Sequence, residues 1–326
     1  MKSLLICGGV GGAKLAYGFY NSIHHDAFDI LVNTGDDFIH LGLHVSPDLD
    51  TVIYTLSEEV EVSQGWGRQN ESWNMLNELK TLEGDTWFQL GDKDLATHFI
   101  RTSMLNDGKS LTDITAHIAG RFGIKSNIFP MSDNLVSTFI KTDRDILSFQ
   151  EYFVKHRCLP VANDFIFKGS SKAKLNSKIN LNDYDNFIIC PSNPFISIGP
   201  ILSIKKISDH LKANKDKVFV ISPIVDGDSI KGPTAKIFRE LGHEPSVKSV
   251  AEFYQDYATN IFIDNKDSEY LKDLNNLGFK VFVDRLVMKS KKSKVDLAKS
   301  IVEYLSRSTT FSFQLNHFIT LKIVYL

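Results

Sequence analysis

Six short, nearly unbroken apolar runs punctuate the chain: "SLLIC" (3–7), "FDILVN" (28–33), "DNFIICP" (185–191), "KVFVISP" (217–223), "NIFIDN" (260–265) and "KVFVDR" (280–285). Runs without polar alternation predict strands covered on both faces, as in parallel sheets. Between them, apolar residues recur at helical spacing in "KLAYGFYNSI", "GPILSIKKISDHLKAN", "GPTAKIFRELG" and "SEYLKDLNNLG", several closing on glycine. Strands alternating with helices predict an α/β fold, a doubly wound, mostly parallel Rossmann-like sheet.

The middle of the chain departs from this rhythm. Residues 58 to about 135 read as mostly helical ("NESWNMLNELKTL", "DLATHFIRTSML", "SLTDITAHIAGRFG"), and 136–180 as short strands such as "VSTFIKT" and "ILSFQEYFV". We therefore expect a core from 1–57 and 181–305, with 58–180 as an insertion that lids it. The tail 306–326, "SRSTTFSFQLNHFITLKIVYL", completes no strand–helix unit. It reads as an extra edge strand or an oligomer contact, which leaves a homodimer open.

Composition narrows the class. With 326 residues, 43% hydrophobic, 23% charged and a net charge of -2, the chain has the make-up of a globular protein. It lacks the basic excess that tracks nucleic acid. Cys7, Cys158 and Cys190 are scattered and odd in number, reading as buried thiols of a cytoplasmic protein. No apolar run reaches membrane-spanning length, and "MKSLLIC" is too short for a secretion signal, so no membrane partner is expected.

The first strand ends in "GGVGGAKL" (8–15). Gly9 and Gly11 start a dinucleotide fingerprint, but Lys14 stands where it needs a third glycine. A phosphate-loop reading fails too, because no Ser or Thr follows Lys14. What remains is a glycine turn opening a helix near Gly12, whose free N–H groups suit a phosphate or carboxylate. A side chain at Gly11 or Gly12 would then block the phosphate with modest damage to folding.

Other polar segments lie at predicted strand ends, where doubly wound sheets bind ligands. In "VNTGDDFIHLGLHVSPDLDTVIYTL" (32–56), Asn33 holds the place of a ribose-binding acid, which weakens a dehydrogenase reading further. Asp36, Asp37, Asp48 and Asp50 crowd the same segment, and such carboxylates would repel a phosphate unless a hard cation such as Mg2+ intervenes. Asp50 suits either a metal or catalytic role or a helix cap, and as a cap Asp50→Asn would leave stability almost unchanged. "CPSNPFISIGPIL" (190–202) offers Ser192 and Asn193, and "ISPIVDGDSIKGPTAK" (221–236) offers Ser222, Lys231 and Gly232 at helix entrances. His98 and Arg101 share a helical face in "WFQLGDKDLATHFIR", facing a ligand or neighbouring carboxylates. The aromatics around "GWGR" (65–68) suit a flat ring or the core.

Taken in order, "GGVGGAKL", "NTGDD", "SPDLDTVIYTL", "GWG", "LGDKDLATHFIR", "GKSLTDIT", "MSDNLVST", "FQEYFV", "PSNPFISIGPIL" and "SPIVDGDSIKGPTAK" resemble the 2-phospho-L-lactate transferase family of coenzyme F-420 biosynthesis, over residues 1 to about 305. The resemblance implies transfer of a phospholactyl, or related phosphoenolpyruvyl or phosphoglyceryl, group from a guanosine diphosphate-linked donor to the ribityl hydroxyl of the deazaflavin Fo, with release of GMP. It implies magnesium, with Asp50 and Asp48 as catalytic and metal candidates. Candidates for holding the two substrates are Gly9, Gly11, Gly12, Lys14, Asn33, Asp36, Asp92, Arg101, Ser192, Asn193, Ser222, Lys231 and Gly232. A related class, nucleotide-sugar-binding regulatory proteins of the gluconeogenesis-factor type, shares the glycine turn and forms the alternative.

Overall fold

The computed structural model describes residues 1–229 and 232–323, with side chains as far as residue 307. Its strands are β1 (Ser3–Cys7), β2 (Phe28–Val32), β3 (Phe38–His40), β4 (Leu43–Val45), β5 (Ile128–Pro130), β6 (Ser137–Thr142), β7 (Ile146–Ser148), β8 (Ala162–Lys168), β9 (Asn186–Ile189), β10 (Val218–Ile221), β11 (Ile224–Val225), β12 (Asp228–Ser229), β13 (Asn260–Asp264) and β14 (Lys280–Asp284). Seven of them form one sheet in the order β14-β13-β10-β9-β1-β2-β5, and every pairing in it is parallel. This is the expected α/β, Rossmann-like sheet.

All six apolar runs became strands of this sheet, for the reason their letters suggest. In β1, Leu5 and Cys7 point into one core while Leu4 and Ile6 point into the other, all fully buried. Each such side chain stabilises the fold by roughly 1.5–3 kcal/mol of burial. The seventh strand, β5, escaped notice because a three-residue run carries no period. It brings part of 58–180 into the central sheet.

The helices on either side are α1 (Gly9–Tyr20), α2 (Pro47–Leu56), α3 (Asn74–Thr81), α4 (Asp92–Asn106), α5 (Leu111–Arg121), α6 (Gly199–Leu202), α7 (Lys205–Ala213), α8 (Thr234–Glu240), α9 (Val247–Tyr254), α10 (Leu271–Asn276) and α11 (Lys291–Ile323). Helix α5 puts Ile114 and Ile118 into the same core as α1 and α2, so the insertion is packed onto the sheet. Strands β7, β6 and β8 form a small antiparallel sheet of their own. The tail corrects an expectation: α11 continues to Ile323, so residues 306–323 are helical and not an edge strand. Among the described residues no helix is long and apolar enough to cross a membrane.

Candidate active site

The sheet order reverses between β1 and β9, and the loops leaving their carboxyl ends meet in one crevice. Gly9 reverses the chain with a φ of +65°, a conformation glycine adopts without strain. Helix α1 thus opens at Gly9, three residues before the place the sequence suggested. Its N-cap residue, Gly8, has no side chain to cap it, and its first turn holds no acid. The Gly9 N–H donates instead to Asp48.

Gly11 and Gly12 have a reason other than phosphate approach. A Cβ at Gly11 would collide with the Pro191 carbonyl oxygen, and one at Gly12 with Cys7 Cβ and the Ser192 hydroxyl. Ser192 then locks the two loops together, donating to the Gly8 carbonyl at 2.6 Å and accepting the Gly8 N–H at 3.2 Å. The glycines let the loop of residues 8–12 lie against the "PSNP" loop.

Helix α2 starts at Pro47, a position that needs no N–H donor. Asp50 therefore sits inside the first turn and is not the cap. Two residues apart on a helix, Asp48 and Asp50 point to different sides. Asp48 faces the crevice, where its Oδ2 accepts Asn33 Nδ2–H at 3.0 Å, and Asn33 Oδ1 accepts the Gly35 N–H at 2.7 Å. Burial pushes the Asp48 carboxyl up to about 7. Burial and the charge of Asp48 push Asp36 well above the ordinary carboxylate range. Asp37 is raised by burial as well, although His44 Nε2 at 3.2 Å and the Ser46 hydroxyl at 2.7 Å oppose this. One oxygen of Asp36 and one of Asp37 find no hydrogen-bond partner among the described residues.

Asp50 faces α4. Both of its oxygens are taken by the Arg101 guanidinium, and both residues are buried. The Arg101 Nη1 group also lies 3.2 Å from His98 Nδ1. A guanidinium only donates, so Nδ1 accepts and the ring proton belongs on Nε2, which lies 3.5 Å from Asp94 Oδ2. Asp94 accepts the Tyr54 hydroxyl at 2.7 Å. Burial would raise Asp94, but His98, Tyr54 and Arg101 hold it below the usual range. Asp50, Asp94 and His98 each bring one ligand atom within 4.8 Å of the others.

Asp94 also lines a groove of about 350 Å³, walled by Trp66, Trp73, Arg68, Glu71 and Gln89. Trp66 is 48% and Trp73 39% exposed, so the aromatics near "GWGR" are not core. A second, smaller cleft of about 150 Å³ lies among Thr34, Asp37, His44, Lys109, Ser132 and Asn134.

The remaining candidates divide. Asn193 Oδ1 accepts the N–H groups of Phe195 and Ile196, leaving its buried amide nitrogen without a partner among the described residues. The Ser222 hydroxyl closes a local turn on the N–H and carbonyl of Ile224, and Asp92 binds the Ser72 hydroxyl and the N–H groups of Asn74 and Met75 at the start of α3. Ser72 and those N–H groups hold Asp92 at about 2. Both side chains are taken up by these local bonds. Lys14 lies near enough to Lys294 of α11 to help burial lower that ammonium, on the face of α1 that packs against α11. Gly232 takes a φ of +78° before α8, and Lys231 lies outside the described residues. Asp94 and Tyr54 join the site beyond the residues expected from sequence, although Asp94, His98 and Arg101 at i, i+4 and i+7 mark one helical face.

Magnesium takes oxygen ligands. Asp36 and Asp48 fit it, with adjacent buried carboxyls and a carboxylate oxygen that lacks a partner. Asp50 does not, since an arginine already holds both its oxygens. The structure does not bring the expected Asp48–Asp50 pair together: Asp48 faces the crevice beside Asn33 and Asp50 faces Arg101.

The family model described as 2-phospho-L-lactate transferase CofD matches residues 4–301. A 2-phospho-L-lactate transferase from Methanosarcina mazei is 36% identical over 303 residues, covering 92% of this chain and 99% of the relative. A phosphoenolpyruvate transferase from Thermobifida fusca is 35% identical over 285 residues, covering 82% of this chain and 88% of the relative. Among solved structures, a UPF0052-family protein from Bacillus halodurans superposes with a TM-score of 0.60 at 13% identity, over 92% of this chain and 98% of that one, a likeness of fold.

Proposed function

From the premise that this chain belongs to the 2-phospho-L-lactate transferase family and is a transferase, we propose that it moves a phospholactyl group from a guanosine diphosphate-linked donor to the terminal ribityl hydroxyl of the deazaflavin Fo, releasing GMP. Its place is in the making of coenzyme F-420. The observation that carries the reading is that Asp94 belongs both to the tryptophan-walled groove and to the buried cluster with Asp50 and His98. A flat ring stacked on Trp66 and Trp73 would lead its side-chain hydroxyl toward these carboxylates.

In this reading the ribityl oxygen attacks the phosphorus of the phospholactyl unit, the bond to the GMP oxygen breaks, and the hydroxyl proton passes to the Asp94–His98–Asp50 cluster. His98 and Tyr54 hold Asp94, and Arg101 holds Asp50. On the donor side, the N–H groups of the first turn of α1 that follow Gly9 and the free Asn193 amide suit the diphosphate. Asp36 and Asp48 would hold magnesium, which when bound would supply positive charge against the phosphoryl oxygens. Positioning and electrostatics then carry most of the rate.

Titration of the protein's tryptophan fluorescence with Fo and with UDP-N-acetylglucosamine tests the acceptor site. Quenching by Fo that is lost in Trp66→Ala, with GDP binding intact, is the expected result. Quenching by the nucleotide sugar alone contradicts it.

A further inference from the structure

Helix α4 begins at Asp92, and its N-cap residue, Gly91, has no side chain to offer the N–H groups of the first turn. Each of them is nonetheless taken. The Asp92 N–H goes to the Ser72 carbonyl at 2.9 Å, and that of Leu95 to the Gly91 carbonyl at 2.9 Å. The N–H groups of Lys93 and Asp94 go to the two oxygens of the Glu71 carboxylate, at 2.9 and 2.8 Å. A side chain from outside the helix thus caps it. The favour is returned, since Asp92 accepts the Ser72 hydroxyl at 2.7 Å and the N–H groups of Asn74 and Met75 at 3.0 Å, where α3 begins. Segments 71–75 and 91–94 cap one another, each carboxylate at the positive end of the other segment's helix.

Gly91 is part of this joint. Its φ of -77° and ψ of 160° are open to any residue, so what the glycine supplies is room. A Cβ there would lie 2.2 Å from Glu71 Cδ and 2.5 Å from Glu71 Oε2.

Both residues that the joint holds belong to the groove. Trp73, the N-cap residue of α3, walls it, and Asp94 lines it while accepting the Tyr54 hydroxyl and facing His98. We propose that Glu71 is a positioning residue for the transfer: by bonding the main chain of Lys93 and Asp94, it fixes the Asp94 carboxylate relative to the ring stacked on Trp73. Asp92 does the same for Trp73 from the other side. The inference rests on the place given above to Asp94 among the groups that receive the hydroxyl proton.

Steady-state kinetics with Fo and the guanylated donor tests it. Glu71→Gln turns an amide donor toward one of the two N–H groups. It should lower kcat roughly ten- to a hundredfold, the scale of a small misplacement, and leave the KM of the donor unchanged. Gly91→Ala keeps Glu71 but pushes its carboxylate aside; because that group ends a flexible side chain, the variant should fold and reproduce the loss. Asp92→Ala, which frees the start of α3, should instead raise the KM of Fo with a smaller change in kcat. In Asp94→Asn protein, adding Glu71→Gln should lower kcat no further, because Glu71 acts through Asp94. Circular dichroism should show each variant folded. A wild type that transfers to Fo while Glu71→Gln and Gly91→Ala keep its kcat, or an equal further loss from Glu71→Gln in the Asp94→Asn protein, overturns the inference alone. A wild type that makes no transfer to Fo overturns the assigned reaction and the inference with it.

Discussion

Arg101, from helix α4, closes on both carboxylate oxygens of Asp50, from helix α2, with both side chains removed from water. The charge of Asp50 is matched inside the protein, and its place is fixed by a group that also reaches His98.

Asp50→Asn should therefore do more than a cap exchange would. It leaves a buried guanidinium without its counter-charge, which costs about 3–5 kcal/mol. Transfer should fall roughly a hundredfold or more, the scale on which a positioned electrostatic group acts. Pairing the change with Arg101→Met should recover most of the melting temperature, because removing both charges is often neutral, but not the turnover. Turnover that returned together with stability would reduce the pair to a structural role.

Gly11→Val should fail to fold, not merely fail to bind, since its side chain has no space beside the Pro191 carbonyl. Urea unfolding measures this directly. A stable variant with the wild-type midpoint would contradict the packing of the two loops.

The Asp48 carboxyl, raised to about 7 by burial, gives a dependence on pH with a definite sign. An unfolded Asp titrates near about 4. The folded state keeps its proton longer, so this group's contribution is fully present below about pH 4 and is lost as pH rises toward 7. Melting curves of metal-free wild type and Asp48→Asn should diverge over that window, the variant falling less. Magnesium should stabilise the wild type more above pH 7 than at pH 5, and equal stabilisation at both would remove Asp48 from the metal site.

Asp94→Asn should lower kcat in a protein that still folds, because the amide oxygen still accepts the Tyr54 hydroxyl while the amide nitrogen turns a donor toward His98 Nε2–H. Steady-state kinetics with Fo checks this, and an unchanged kcat would move the proton acceptor elsewhere.

The central sheet was legible because its strands are buried on both faces and so read as apolar runs; β5 and β8 were not, being too short or too polar on one face. Asp48 and Asp50 stood out as acids, yet their neighbours are set by tertiary contacts. No spacing links Asp50 to Arg101 across fifty-one positions, and none reveals that Asp92 serves the start of α3. The face shared by His98 and Arg101 was readable and Asp94 extends it one turn; what spacing does not show is that the face is buried, since a helical face of polar residues ordinarily points to water.

The most direct test of the account is GMP release by the purified chain given guanylated phospholactate and magnesium, with and without Fo, while mass spectrometry follows the deazaflavin. We expect GMP to appear only when Fo is present, in equal amount to a new phosphodiester on its ribityl chain. GMP released at the same rate without Fo, or an unmodified deazaflavin, would contradict it.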